Sequence, residues 1–384
     1  MSEYQYYEFL AIDRPLTSEE MSDLRLISSR AQITPVSLSN FYNFGDFKGD
    51  PDKLMQQYFD AHVYTANWMT AFFKLRIPIE ALSQEAEDLL EESEGDVLEY
   101  TNTETHCIIT WSLHDSENYS RFEMEDGEGW MARLAPIRDE LLRGDLRSLY
   151  LGWLADSEEM DDDELEPVSV SGLETLTPAQ QALAEFIEID PDLIAAAALG
   201  SSDIQDQGAT EQDKDAWIKS LPRDKVATVL KLLLEGEGQK AERTFKNQFT
   251  AWQRDQKGPE NTTPLRSLGE IRENLVIAQK KRLDKEKLKR EEQEAKRRQK
   301  REAHLKDLSK NFPKAWDQIQ YTLNRGSGLA YDEACQALLD LSEAYALVGR
   351  SKSFELKLDE FMSAHQRRKA FVERLRRTKI WRQK

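Results

Sequence analysis

Residues 270–310, EIRENLVIAQKKRLDKEKLKREEQEAKRRQKREAHLKDLSK, contain neither glycine nor proline and are crowded with strong helix formers. This stretch predicts one helix of about 40 residues, about 60 Å long at the α-helical rise. Ile271, Leu275 and Ala278 give it a short apolar stripe at helical spacing, but the stripe ends at Leu288 and no heptad is sustained. A coiled-coil dimer is therefore disfavoured. Opposite charges four residues apart take the place of the seam: Glu286 with Arg290, Lys287 with Glu291, Arg290 with Glu294, Glu294 with Arg298, Arg298 with Glu302, and Glu302 with Lys306. Each pair contributes a few tenths of a kcal/mol, and in series they support a helix exposed on all sides. The expected element is a solvated strut. Its 15 basic and 9 acidic residues are spread around every face, whereas a phosphate-binding helix gathers its cations on one side.

The strut divides the chain electrically. Residues 271–384 carry 29 basic and 17 acidic residues, while residues 1–270 carry 23 and 54, so an acidic body precedes a basic arm. That division predicts attraction between the two ends or a separate partner for each. With 384 residues and 39% hydrophobic content there is room for two or three packed cores. No apolar run approaches a membrane span and no basic-then-apolar leader opens the chain, so a soluble cytoplasmic protein is expected. Cys107 and Cys335 lie too far apart in sequence to suggest a disulfide framework or zinc spacing.

The organisation expected is multidomain and mainly α: an α+β domain over 1–155, an acidic linker over 156–167, a small all-α domain over 168–256, a linker over 257–269, the long helix over 270–310, and a C-terminal helical hairpin with a basic tail over 311–384. In the first domain YQYYEFLAI (4–12) reads as a central strand, apolar on both faces. Thr17-Ser-Glu-Glu20 is a capping box with Met21, Leu24 and Ile27 as its buried stripe. Residues 33–44 are extended. Asp50-Pro51 opens a helix whose apolar face runs through Met55, Tyr58, Phe59, His62, Ala66 and Met69. Residues 72–77, 97–101 and 106–113 are strands, the last two a hairpin, followed by the helices WMARLAPIRDELL and LRSLYLGWL. This pattern predicts an α+β or split βαβ sandwich. DSEEMDDDELE (156–166), with 8 acids and no base, reads as a disordered or surface linker. Thr177-Pro178 and Asp190-Pro191 start helices of the middle unit, and Trp316, Leu338 and Phe361 lie on the apolar faces of three C-terminal helices.

Three stretches carry a resemblance: YYEFLAIDRPLT (Tyr6–Thr17), GDFKGDP (Gly45–Pro51) and GDLRSLYLGWL (Gly144–Leu154). Together they resemble a family of uncharacterised bacterial proteins. The segment YDEACQALLDL (Tyr331–Leu341) is similar to helices that end many bacterial SWIM zinc-finger proteins, which tend to be encoded nearby. The finger's Cys and His ligands are missing here, so the resemblance implies a protein complex and a candidate partner, with no zinc and no catalytic residues.

Candidate chemistry is sparse. His106, Cys107 and His114 fall on one strand, where the two histidines share a face but stand roughly 26 Å apart, too far for a common metal. His62 and His365 sit on apolar helix faces, as satisfied core histidines do. Glu123, Glu125, Asp126 and Glu128 read as a solvated turn. The phosphate-cradling, dinucleotide, nucleophile-elbow and zincin motifs are all missing, so no catalytic residue, cofactor or metal is assigned. The tail is the stronger candidate: Arg367, Arg368, Lys369, Arg374, Arg376, Arg377, Lys379 and Arg382, interleaved with Phe371 and Trp381, suit either an acidic protein surface or phosphates with stacked bases. The function expected is a non-enzymatic adaptor holding partners apart by the strut; the alternative is a nucleic-acid-associated factor that binds through the tail.

Overall fold

In the computed structural model, residues 4–43, 45–93, 95–114, 116, 127–157, 160–202, 211–257 and 264–381 are described. They fall into two compact units, 1–282 and 283–384.

The first unit is built on an antiparallel sheet of seven strands: β1 (Gln5–Leu10), β2 (Gln32–Thr34), β3 (Ser37–Tyr42), β4 (Ala61–Ala66), β5 (Thr70–Pro78), β6 (Leu98–Asn102) and β7 (His106–Leu113), in the order β2-β3-β1-β4-β5-β7-β6. Every neighbouring pair runs antiparallel, so the α+β expectation holds while its split βαβ variant does not. All six residues of β4 are buried, which requires cover on both faces. On one face α1 (Ser18–Ile27) and α2 (Pro51–Gln57) bring Leu24, Leu54 and Met55 against Phe9, Leu38 and Phe59. The other face lies under α3 (Gln84–Glu91), α4 (Trp130–Leu134), α5 (Pro136–Leu142) and α6 (Arg147–Asp156), which bury Leu89, Leu134, Ile137 and Trp153 against Val63, Phe73, Ile109 and Trp111. Gly152 lets α6 approach this closely, because a Cβ there would lie 2.9 Å from Leu98 Cβ.

The caps read from sequence are present. Thr17 and Glu20 form their reciprocal capping box, and the Asp50 carboxylate accepts from the amides of Asp52 and Lys53. In α1, however, only Leu24 of the expected stripe is fully buried. The helix placed through His62 is corrected: α2 stops at Gln57, and His62 belongs to β4, where it faces Phe9 of β1 across the ladder. The residues 55, 58, 59, 62 and 66 keep helical spacing by coincidence, and pairing on both sides of β4 outweighs it. Pro136 divides the expected single helix over 130–142 in two, since it has no N–H to continue the ladder.

Helices α7 (Pro178–Phe186) and α8 (Pro191–Ala198) add Leu183, Phe186 and Leu193 to the core of α4, α6 and the sheet. Residues 168–198 therefore do not form a body apart from the sheet. The acidic segment 160–166 is also held, through Glu166, which is buried. Beyond it α9 (Glu211–Ser220), α10 (Arg223–Leu234) and α11 (Gly238–Lys257) form an arm joined by Trp217 against Phe245 and Phe249, and α11 packs on α5 and the turn 79–81.

The strut is found with one interruption. Ser267 caps α12 (Leu268–Glu273), Asn274 intervenes in a right-handed helical conformation, and α13 (Leu275–Ser309) follows. Leu268, Ile271 and Ala278 are buried in the first unit's core. The second unit closes α14 (Phe312–Asn324), α15 (Gly328–Leu347), α16 (Ser351–His365) and α17 (Lys369–Arg377) on Leu305 of α13. It is a bundle rather than the expected hairpin, because the basic tail itself folds as α17. No helix among the described residues is long and apolar enough to cross a membrane.

Candidate interaction surfaces

Helix α13 is exposed at every residue from Gln279 to Lys300. Of the expected ladder, Glu302 reaches Lys306 at 2.6 Å and Glu294 reaches Arg298 at 4.0 Å. Arg301, outside that ladder, pairs with Asp340 at 2.7 Å and Glu343 at 2.9 Å on α15, anchoring the end of α13 in the second unit. Exposed ion pairs of this kind contribute little singly. Val276, Ile277, Leu283 and Leu288 are exposed along the same helix.

The residues expected in the basic tail are divided by the fold. Phe371 and Trp381 are buried in the second unit's core, with Phe371 6.0 Å from the Tyr331 ring and Trp381 Nε1 donating to Asp359 Oδ1 at 3.2 Å. Neither ring is presented for stacking on a base. Arg374 donates to Asp332 at 2.7 Å and Arg377 to Glu373 at 2.9 Å. Arg368 donates to the Leu323 carbonyl and to Asn324 Oδ1 at the end of α14, as a helix C-terminus favours. Arg367, Lys369, Arg376, Arg377 and Lys379 are exposed, and Arg382 lies outside the described residues. Between α15 and α17 runs a groove of about 450 Å³ lined by Asp332, Cys335, Arg374 and Arg377. Burial pushes the Cys335 thiol up to about 11, which removes it as a nucleophile near neutrality.

The first unit carries a larger cleft, about 1,100 Å³, that the sequence did not reveal. Asp13, Arg76 and His106 line it from the sheet side; Trp217, Lys225 and Trp252 of the arm line it opposite. The lining residues Asp13 and Arg76 belong to a charge network. Asp60 accepts from the amides of Ile12 at 2.6 Å and Asp13 at 2.8 Å, and from Arg76 Nη2 at 2.6 Å. Arg138, fully buried, donates to Asp13 Oδ2 at 2.8 Å and to the Arg76 carbonyl at 3.0 Å. Burial works against the charge on Asp60, but Arg138 and Arg76 outweigh it and hold the carboxyl below its usual range. Burial, aided by Arg76, holds His106 below its usual value, and its Nδ1 lies 2.7 Å from Thr105 Oγ1. The signal for this cleft was invisible because its residues are spread over the chain from Asp13 to Trp252.

Two further histidines, His62 and His365, are buried in cores, while His114 and His304 are exposed. His62 is fully buried, stacked on Phe9 at 3.8 Å with Nδ1 3.0 Å from the Glu8 carbonyl, and burial lowers it to about 3. His365 lies against Phe361 with Nε2 2.7 Å from Gln320 Oε1. Cys107 faces the core, and burial raises it to about 12. His114 follows the end of β7. Among the described residues no group of three or more His, Cys, Asp or Glu side chains could hold a metal ion. Glu128 is exposed in a turn before α4, while Glu123, Glu125 and Asp126 lie outside the described residues.

No protein-family model, no curated protein and no solved structure matches the chain.

Proposed function

We propose that the chain is a non-enzymatic adaptor of a bacterial cytoplasmic complex, with two bodies that bind separate partners and are linked by one charged helix. The observation that carries this reading is α13, exposed at every residue from Gln279 to Lys300. A mostly charged stretch exposed at every residue adds nothing to either core, and such stretches serve as solvated connections. The opposite charge of the two parts supports separate partners. The similarity of Tyr331–Leu341 to helices of SWIM zinc-finger proteins makes a protein of that class the first candidate for the basic end.

The second reading, a nucleic-acid-associated factor, rests on the exposed Arg367, Lys369, Arg376, Arg377 and Lys379. It lacks the stacking rings, since Phe371 and Trp381 are buried, so only phosphate contact would remain. Affinity capture of the full chain from its own cells, with and without nuclease, separates the two. The adaptor reading expects protein partners that survive nuclease, some lost on charge reversal at Lys369, Arg376 and Lys379 while others stay bound. Loss of every partner with nuclease would sink it.

A further inference from the structure

Among the described residues strand β6 is the outermost strand of the sheet and pairs only with β7. An outer strand leaves one row of main-chain donors and acceptors unpaired, which is a template for another strand. Here the row can be identified. Ser112 N donates to Val97 O at 2.8 Å and Thr103 N to His106 O at 2.8 Å, so the odd-numbered residues turn their main-chain groups towards β7. By the two-residue period, Leu98, Tyr100 and Asn102 turn theirs away. The Leu98 amide is already taken by the Asp156 carboxylate at 3.0 Å. No described residue caps Tyr100 or Asn102 in this way, and every side chain from Glu99 to Asn102 is exposed.

Charge selects what can dock there. The sequence has no lysine or arginine from Ile77 to Ser120. Helix α3, which packs against β6, exposes Glu85, Asp88 and Glu91; Glu92 just after it, Asp96 before the strand and Glu99 within it are exposed too. These carboxylates repel nucleic acid, and they repel the same edge of a second copy, which is how outer strands avoid pairing with themselves. The cationic stretches in α13 and α17 of this chain are helical, with their main-chain groups already bonded within the helix. An extended cationic segment of another protein satisfies both the edge and the charge.

We propose that β6 is a docking edge for an extended segment rich in lysine and arginine, which joins the sheet beside Tyr100 and Asn102 and sets its cations against the carboxylates of α3. This names the kind of partner the first unit takes and rests on the adaptor reading. Strand addition of this kind draws affinity from main-chain hydrogen bonds and specificity from side chains.

The test titrates a short peptide alternating lysine with valine against the full chain by calorimetry, at low and high salt, with amide hydrogen exchange in parallel. The peptide is expected to bind at low salt, to weaken as salt rises and to slow exchange at Tyr100 and Asn102. Tyr100→Pro removes one outward N–H without touching the ladder to β7, and is expected to weaken binding about tenfold. A glutamate–valine peptide is expected not to bind. Failure to bind at low salt, binding without protection at Tyr100 and Asn102, or unchanged affinity for a folded Tyr100→Pro chain overturns the proposal. If that variant does not fold, the exchange pattern of the natural chain decides. Should the peptide fail while nuclease-resistant partners are still captured by the full chain, the edge is wrong and the adaptor reading stands. Peptide binding with no captured partner removes the adaptor reading alone.

Discussion

Arg266 Nη2 lies 2.8 Å from Glu166 Oε2, joining residues one hundred positions apart, and the carboxylate is only 1% exposed. Arg266 also gives its amide and Nε to Glu166 Oε1, at 3.0 and 2.9 Å, while the Tyr150 hydroxyl donates to Oε2 at 2.8 Å. The residue just before the Ser267 cap is thereby fixed in the first unit. The start of α12 inherits its position from a buried ion pair rather than from helix propensity.

Removing one partner of such a pair strands the other, which is the costly case. Glu166→Ala is expected to destabilise the first unit by about 3 kcal/mol, read as a lower urea midpoint. The exposed neighbour Glu164 is the control, since its loss to Ala should stay within about 0.5 kcal/mol. Equal midpoints for the two variants would mean that Glu166 is not buried as described.

What was legible in the sequence was local. Thr17, Asp50, Thr177 and Asp190 announced their helices because a cap depends on a few adjacent residues. His62 was misplaced because its strand is specified by partners at Phe9 and Lys74, and helical spacing around it fitted by chance. Glu166 read as one acid in a solvated run, since nothing near it foretells Arg266. The same holds for the cleft and for Trp381, whose neighbours in sequence are cationic while its neighbours in space are apolar.

The ring of His62 makes stability depend on pH. The unfolded chain takes up a proton near the ordinary value of 6.5, whereas the folded chain refuses it until about 3. The folded state therefore binds fewer protons across that window, and its stability falls as the pH drops from 6.5 towards 3. By about pH 5 this one ring removes about 2 kcal/mol. His62→Phe should flatten the pH dependence of the urea midpoint by about one proton's worth, and an unchanged slope would place the ring in contact with water.

The middle of α13 should be separable from the stability of either unit. Gln293 is exposed and lies among exposed residues. Gln293→Pro breaks the helix locally, at about 3 kcal/mol, but takes nothing from a core. The expected result is a smaller helical circular dichroism signal with unchanged unfolding midpoints. A shifted midpoint would show that this stretch supports one of the units.

The last prediction concerns the basic tail, where a partner-binding surface and a core element make opposite demands. A ring held for stacking on a base could be cut back with little effect on stability, whereas a buried indole leaves a cavity and takes its hydrogen bond away from Asp359. Trp381→Ala is expected to destabilise the second unit by about 3 kcal/mol, while Lys379→Ala, two residues earlier and exposed, stays within about 0.5 kcal/mol. Partner capture should respond the other way, weakening with charge reversal at Lys379 but persisting in a folded Trp381→Phe chain. If Trp381→Ala unfolds at the natural midpoint and loses nucleic acid that the natural chain retains, the indole is a stacking residue and the tail works as a nucleic-acid surface.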